Sequence, residues 1–323
     1  MFYTVYLDYA FKGWILEAVV KESANSIGLK LNLVFIPTRK LHYLRIGMVM
    51  KFLLNRVSSN SVLFVNQNTY VQSMVSNKIL CNSRNIRVLF THFPESTDLI
   101  ELYKKFLQKT SFILVMNSTD RIKLREIGIP SKKIKIIYGA IDKKIYYPLK
   151  SGEEISFLRF PYVLIAGDCK ERKDPKRIFS IVQKMSRVQF VFHGNGWVKY
   201  FQKEFGCVPL NCQFYSFNID ENAKLMRDAS TYLSLSKIEG GPYTTLEALA
   251  SGTPVVVTRT GWNDEFVNTK NGFLIDLNAT DEVIIQAIFA SIDKKKEIYK
   301  NDLLPKEFSW PTLGNKIFME NLN

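Results

Sequence analysis

The chain holds one stretch whose residue types and spacing could do chemistry: Glu239-Gly240-Gly241-Pro242-Tyr243-Thr244-Thr245-Leu246-Glu247, running on into ALASGTPVVV. Two carboxylates stand eight positions apart, around a glycine-rich turn at the start of a helix. A helix start presents unpaired N–H groups and positive dipole character, so the turn before Thr244 favours an anion such as a diphosphate. Gly240 and Gly241 lack a Cβ and would let a ligand approach the backbone closely. Glu239 can accept hydrogen bonds from sugar hydroxyls, and Glu247, about a turn into the helix, from a ribose diol. The alternative is a tight turn with two solvated glutamates. The length of the full string, with its glycines and the trailing Gly-Thr-Pro-Val-Val-Val, favours the ligand site.

The flanking residues say how this turn is held. Tyr232–Leu235 reads as a buried strand and Thr244–Ser251 as a short helix. Gly252 suits the left-handed residue after a helix, and Pro254–Val257 opens the next strand. So short a strand–helix–strand crossover requires parallel strands. Ligands of such sheets bind at the carboxyl ends of the strands, which is where residues 236–247 should lie.

Residues 232–276 resemble the donor-binding half of the retaining GT-B glycosyltransferases of family 4. The family pattern is met by Ser236, Glu239, Gly240, Glu247, Ala248, Gly252, Pro254, Val255 and Val256, with Pro242 replacing its second glycine. Gly261, Glu265 and Asn271-Gly272-Phe273-Leu274 also fit. The resemblance implies further residues. Lys173 matches a lysine that pairs with the donor diphosphate; Asp168 stands where the family has an arginine, and Arg172 can supply that second cation. Gly194, in Gly194-Asn195-Gly196, and the loop Tyr215-Ser216-Phe217 fall where the family approaches the nucleotide. His92, ending a strand, resembles a histidine near the donor sugar, for hydrogen bonding or proton transfer; the plain alternative is a capping or core histidine. Gly13 would let the first helix approach the phosphates.

Charge is divided unevenly. Residues 1–150 carry 23 Lys and Arg against 9 Asp and Glu, a net of +14, while residues 151–323 carry 21 of each. A lysine-rich background would make both halves basic, so the first half is expected to meet an anionic partner: a membrane surface, an acidic glycan or nucleic acid. The stretch 42–57, apolar with Arg45, Lys51 and Arg56 interspersed, reads as a buried helix or an interfacial one. No apolar run has the length of a membrane span, and Met1–Tyr9 reads as a strand, not a signal peptide. Cys81, Cys169, Cys207 and Cys212 lack metal-ligand spacing and read as reduced thiols. A cytoplasmic protein, peripheral on the inner face of the membrane at most, is the expectation.

The rest of the chain alternates strands and helices. Strands are expected at Tyr3–Leu7, Leu31–Phe35, Val62–Val65, Arg87–Phe90, Phe112–Val115 and Lys135–Tyr138, then at Tyr162–Ala166, Val188–Phe192 and Tyr232–Leu235. Helices are expected at Trp14–Ala24, Asp98–Gln108 and Glu221–Asp228, with Asn117 capping another. Such alternation implies parallel α/β sheets covered on both faces. The expected architecture is GT-B: two Rossmann-like, doubly wound domains facing a cleft. Residues 1–150 would bind the acceptor and residues 151–307 the nucleotide-sugar donor, with 149–160 as linker and a C-terminal helix, 308–323, crossing back to the first domain.

The implied activity is a retaining, hexosyltransferase-like transfer from a nucleotide diphospho-sugar to a glycan or lipid-linked acceptor, in polysaccharide or cell-envelope glycan synthesis. No obligatory cofactor or metal is expected, since cations and a helix dipole face the diphosphate. The rivals are a nucleotide-sugar epimerase of the same fold, a non-catalytic basic binder, for which nucleic acid is the weaker partner, and an inactive homologue used as a scaffold.

Overall fold

The structure, a computed structural model, describes residues 2–8, 15–36, 62–66, 86–91, 97–150, 161–216 and 218–319. His92, Gly13, the stretch 42–57, residues 151–160 of the expected linker, and Phe217 lie outside the described residues. The chain divides into two compact units: residues 1–140 with 307–323, and residues 141–306.

The first unit is built on a six-stranded sheet in the order β2-β1-β3-β4-β5-β6: β1 (Phe2–Asp8), β2 (Lys30–Ile36), β3 (Val62–Asn66), β4 (Ile86–Phe90), β5 (Phe112–Val115) and β6 (Ile134–Ile136). Every pairing is parallel. Its helices include α1 (Ile15–Ser26), α2 (Thr97–Leu107) and α3 (Ser118–Glu126). Val88, Phe90, Ile113 and Val115 pack with Tyr103 and Leu107 of α2 and Leu124 of α3 in one buried cluster. Asn117 caps α3 as its residue type predicts, its side chain accepting from the Asp120 N–H at 2.7 Å.

The second unit repeats the plan in the order β12-β11-β10-β7-β8-β9, again all parallel: β7 (Tyr162–Ala166), β8 (Gln189–His193), β9 (Cys212–Tyr215), β10 (Thr231–Ser234), β11 (Val255–Thr258) and β12 (Gly272–Ile275). The helices are α4 (Pro175–Lys184), α5 (Trp197–Phe205), α6 (Ile219–Asp228), α7 (Tyr243–Ala250), α8 (Asn263–Phe266) and α9 (Asp281–Ile298). Strands β7, β10 and β11 are buried along their whole length. That is why they read as continuous apolar runs, without alternation. The order reverses between β7 and β10, so the crevice at their carboxyl ends is the site such a sheet offers a ligand.

Two local details fix the helix that carries the motif. Gly252 takes φ +68, with Gly252 N–H donating to the Leu249 carbonyl and Thr253 N–H to that of Ala248. This pattern ends α7 with a glycine in the left-handed region. The buried Lys295 of α9 then donates to the carbonyls of Arg227 and Gly252 and to Thr253 Oγ1, at 2.9, 3.0 and 2.6 Å. One ammonium thereby ties together the chain just past α7 and the end of α6.

The division falls earlier than the sequence suggests. Residues 141–150 join the second unit, because Tyr146 is buried there and its hydroxyl accepts from Asn222 at 2.9 Å. Residues 307–319 pack in the first unit, where Ser309 caps α10 (Trp310–Gly314) and Gly314 comes so close to α1 that a Cβ on it would lie 2.2 Å from the Ser23 carbonyl oxygen. Among the described residues no helix is long and apolar enough to cross a membrane, and Cys169, Cys207 and Cys212 are free thiols.

Candidate active site

Two loops meet at the β7–β10 crevice. The first follows β7 and runs from Gly167 through a short 3-10 turn at Glu171–Lys173. The second follows β10 and runs from Leu235 to the start of α7. They are laced by main chain and charge. Lys237 N–H donates to the Arg172 carbonyl at 2.7 Å, and Lys237 pairs with Asp174 at 3.1 Å. The Arg172 guanidinium donates to the Ile238 carbonyl at 3.3 Å and to the Glu239 carboxylate. Lys173 Nζ lies 3.9 Å from that same carboxylate. Glu239, Arg172 and Lys173 are thus brought together, one carboxylate between two cations.

Lys173 is the unusual member, because it is only 8% exposed. Its ammonium donates to the Ala166 carbonyl at the end of β7, at 3.4 Å. Gly167, at φ +97, makes the room: a Cβ there would stand 3.2 Å from Lys173 Cε. Burial holds the Lys173 pKa below the ordinary lysine value, while the Glu239 carboxylate pulls it back up. A cation kept in so dry a position interacts strongly with any anion that reaches it.

Glu247 meets a different environment. Asn222 of α6 donates to Glu247 Oε2 at 3.0 Å and to Tyr146 Oη at 2.9 Å. His193, wholly buried at the end of β8, stands behind: its Nδ1 is 2.9 Å from Asn222 Oδ1, and its Nε2 accepts from the Asn218 N–H at 3.2 Å. Desolvation raises the Glu247 pKa, opposed by the hydrogen bonds from Asn222 and Tyr146. The phenol of Tyr146 is pushed up for the same reason and by the neighbouring Glu247 charge. A carboxylate held by neutral donors in a desolvated place suits a pair of ribose hydroxyls.

Helix α7 follows Pro242 with no side-chain cap and no acidic residue in its first turn; the Thr245 N–H turns back to the Pro242 carbonyl at 3.0 Å, and the positive end of the helix dipole favours an anion there. Thr244 does not add to that end freely, since its hydroxyl shares a 2.7 Å hydrogen bond with Tyr232 Oη. Gly241 has a different reason from the one its position suggests. A Cβ on it would fall 2.2 Å from the indole of Trp262, so the space it leaves is filled by that ring and not by a ligand. Gly261, at φ +57, brings the Trp262 turn against Gly240, whose carbonyl oxygen would lie 2.4 Å from a Cβ at 261. Gly240 itself is buried under this contact.

Gly194 is likewise a packing glycine: at φ +153, a Cβ would come within 2.5 Å of the Gly167 main chain. Asp168, in place of the family's arginine, braces the same corner. Its Oδ1 accepts from the Asn195 N–H at 3.0 Å and the Asn195 side chain at 3.2 Å. The loop after β8 so braced borders a cavity of about 360 Å³, lined among others by Asn195, Gly196, Trp197, Tyr215 and Ser216. Residue types alone do not single out His193, Asn222, Tyr146 and Trp262. The only local signal is that His193 ends a strand on the binding side of the sheet.

Residues 152–301 match the family model of the glycosyl transferases group 1. A search of curated protein sequences finds no match. Among solved structures, the chain is similar to HepE of Anabaena in complex with UDP-glucose: TM-score 0.75, 17% identity, 98% of each chain covered. It is similar also to the sucrose-phosphate synthase of Thermosynechococcus elongatus, at TM-score 0.71, 12% identity and 98% and 97% coverage. The lipopolysaccharide outer core galactosyltransferase WaaB gives TM-score 0.58 at 16% identity, with 98% and 99% covered. Residues 152–301 are thus those of a group 1 glycosyltransferase, and the chain has the GT-B architecture.

Proposed function

We propose that the protein moves a sugar from a nucleotide diphospho-sugar, a UDP-sugar first of all, to a glycan or lipid-linked acceptor with retention at the anomeric carbon. The observation that carries this is the meeting of Glu239, Arg172 and Lys173 beside the uncapped start of α7, at the point where the sheet order reverses. The UDP assignment is supported by HepE, which was solved with UDP-glucose.

In the reaction the bond from the sugar's anomeric carbon to the diphosphate oxygen breaks, and an acceptor hydroxyl takes its place. Negative charge grows on the leaving diphosphate. Lys173, Arg172 and the α7 N–H groups stabilise it as it grows, an electrostatic contribution already in place before the reaction. Glu239 orients the sugar by accepting from its hydroxyls, and Glu247 holds the ribose. With two cations and a helix end facing the diphosphate, no metal is required, and transfer is expected to survive chelation with EDTA. His92 and Gly13 keep the roles the family resemblance implies, toward the sugar and the phosphates.

The acceptor side belongs to the first unit. It carries 21 Lys and Arg against 10 Asp and Glu, among them exposed Lys105, Lys109, Arg121, Arg125 and Lys132, and this excess draws the protein to an anionic membrane surface on the cytoplasmic side. WaaB, itself a lipopolysaccharide galactosyltransferase, supports a cell-envelope acceptor.

The test is a thermal-shift screen of UDP-, GDP- and ADP-sugars, since a ligand that binds only the folded state raises Tm. A UDP-sugar that raises Tm, with the rise lost in Glu247→Ala and Lys173→Ala, is the expected result. A folded protein that responds to none of them contradicts the proposal. Flotation with anionic vesicles tests the membrane part separately.

A further inference from the structure

Within that nucleotide site, one buried histidine is left without a part in the reaction. His193 is 0% exposed. Its Nε2 receives the Asn218 backbone N–H, a group that can only donate. The Ser216 carbonyl also lies against the ring, but with Nε2 accepting from Asn218 the ring proton sits on Nδ1. Nδ1–H then donates to Asn222 Oδ1, which fixes which end of the amide is which. The Asn222 NH2 must point the other way, and both of its hydrogens are taken up, by Glu247 Oε2 and Tyr146 Oη. Tyr146, accepting from Asn222, turns its own hydroxyl toward Glu247. Were the amide reversed, its oxygen would face a carboxylate across 3.0 Å.

We propose that His193 is a positioning residue for nucleotide recognition: through the Asn222 amide it holds Glu247 in the one orientation that accepts both ribose hydroxyls. The chain of contacts runs from the loop after β9, which borders the cavity, across the sheet end to α7. It links two parts of the nucleotide site through groups that do not touch the nucleotide. The proposal rests on the reading of Glu247 as the ribose ligand.

The experiment compares the affinity of UDP with that of 2′,3′-dideoxy-UDP by calorimetry. The ratio of the two constants reads the ribose contact alone, and a general loss of folding or of diphosphate binding moves both constants together. Wild type is expected to prefer UDP by about 10-fold or more, the worth of hydrogen bonds to a charged group. His193→Leu removes the Nδ1–H, and Asn222→Asp keeps its shape but sets an oxygen against Glu247. Both are expected to bring the ratio down to about 3 or less. His193→Asn keeps an N–H near the Nδ1 position and is expected to retain most of the ratio. Tyr146→Phe, the least disruptive change, is expected to lower it partly.

An unchanged ratio in Asn222→Asp, or His193→Asn no better than His193→Leu, overturns the positioning role while leaving the ribose contact intact. A wild-type ratio near one overturns the ribose reading of Glu247 and the positioning role with it.

Discussion

The two glutamates of one motif live in opposite surroundings. Glu239 is held by charge: a guanidinium on one side and a buried ammonium on the other. Glu247 is held by neutral groups, an amide and a phenol, in a place dry enough to raise its pKa. The first environment is suited to the joint between sugar and diphosphate, where charge changes during reaction. The second is suited to a ribose, which changes not at all. In the proposed reaction the same residue type serves transition-state and ground-state binding through its neighbours.

The sharpest way to break this contrast is at Lys173. Replacing it with Met removes the cation and keeps the volume. Burial already makes the Lys173 charge costly, and Arg172 still pairs with Glu239 when the ammonium is gone, so the unfolding free energy should stay within about 1 kcal/mol of wild type. Transfer should fall by about 10²–10³ in kcat/KM. A comparable loss of stability and little loss of turnover would assign Lys173 to the core.

Glu247→Gln comes next. Nucleotide affinity should fall by about 10- to 100-fold, measured by calorimetry. Stability should move the other way. A carboxyl whose folded pKa is raised binds more protons folded than unfolded, so its charge costs stability above the unfolded value of 4.5. Glu247→Gln should therefore have the higher Tm at pH 7, by a margin that narrows as pH falls. His193 works in the opposite sense. Burial lowers its pKa, although Asn222, the Ser216 backbone and the Glu221 charge favour the imidazolium. The neutral ring gives stability that is complete above 6.5 and is lost as pH falls through the folded pKa. A chemical-denaturation series from pH 7 to 5 should show a decline that His193→Leu lacks.

Gly241→Ala tests the turn that carries Glu239. Its Cβ meets the Trp262 indole, and overpacking of this kind costs about 1–3 kcal/mol, read by urea unfolding. Shortening Trp262 to Leu in the same chain should recover part of the loss. The smallest effect is expected at Arg172→Ala: its side chain is 41% exposed, so stability should change by less than about 1 kcal/mol.

The sequence shows the fold because fully buried parallel strands must be apolar throughout. Tyr162–Ala166 and Phe112–Val115 could therefore be read to the residue. The sequence shows the carboxylates and cations as well, because they sit in short loops that follow such strands. It does not show what holds them. His193 and Tyr146 reach Asn222 only once distant segments have folded together. The reason for Gly241 lies in an indole brought in by another turn. Asp168, which reads as a missing arginine, is a brace for Asn195. Hydrogen bonds between segments leave no periodic trace, whereas burial does.

The division of labour between the two glutamates is tested most directly by titrating UDP into Glu239→Gln and Glu247→Gln. UDP carries the diphosphate and ribose but not the sugar that is transferred. Glu239→Gln should bind it as tightly as wild type or more so, since Arg172 and Lys173 are released from the carboxylate, while Glu247→Gln should bind it about 10-fold or more weakly. Equal weakening in both variants, or weakening in Glu239→Gln alone, would contradict the account.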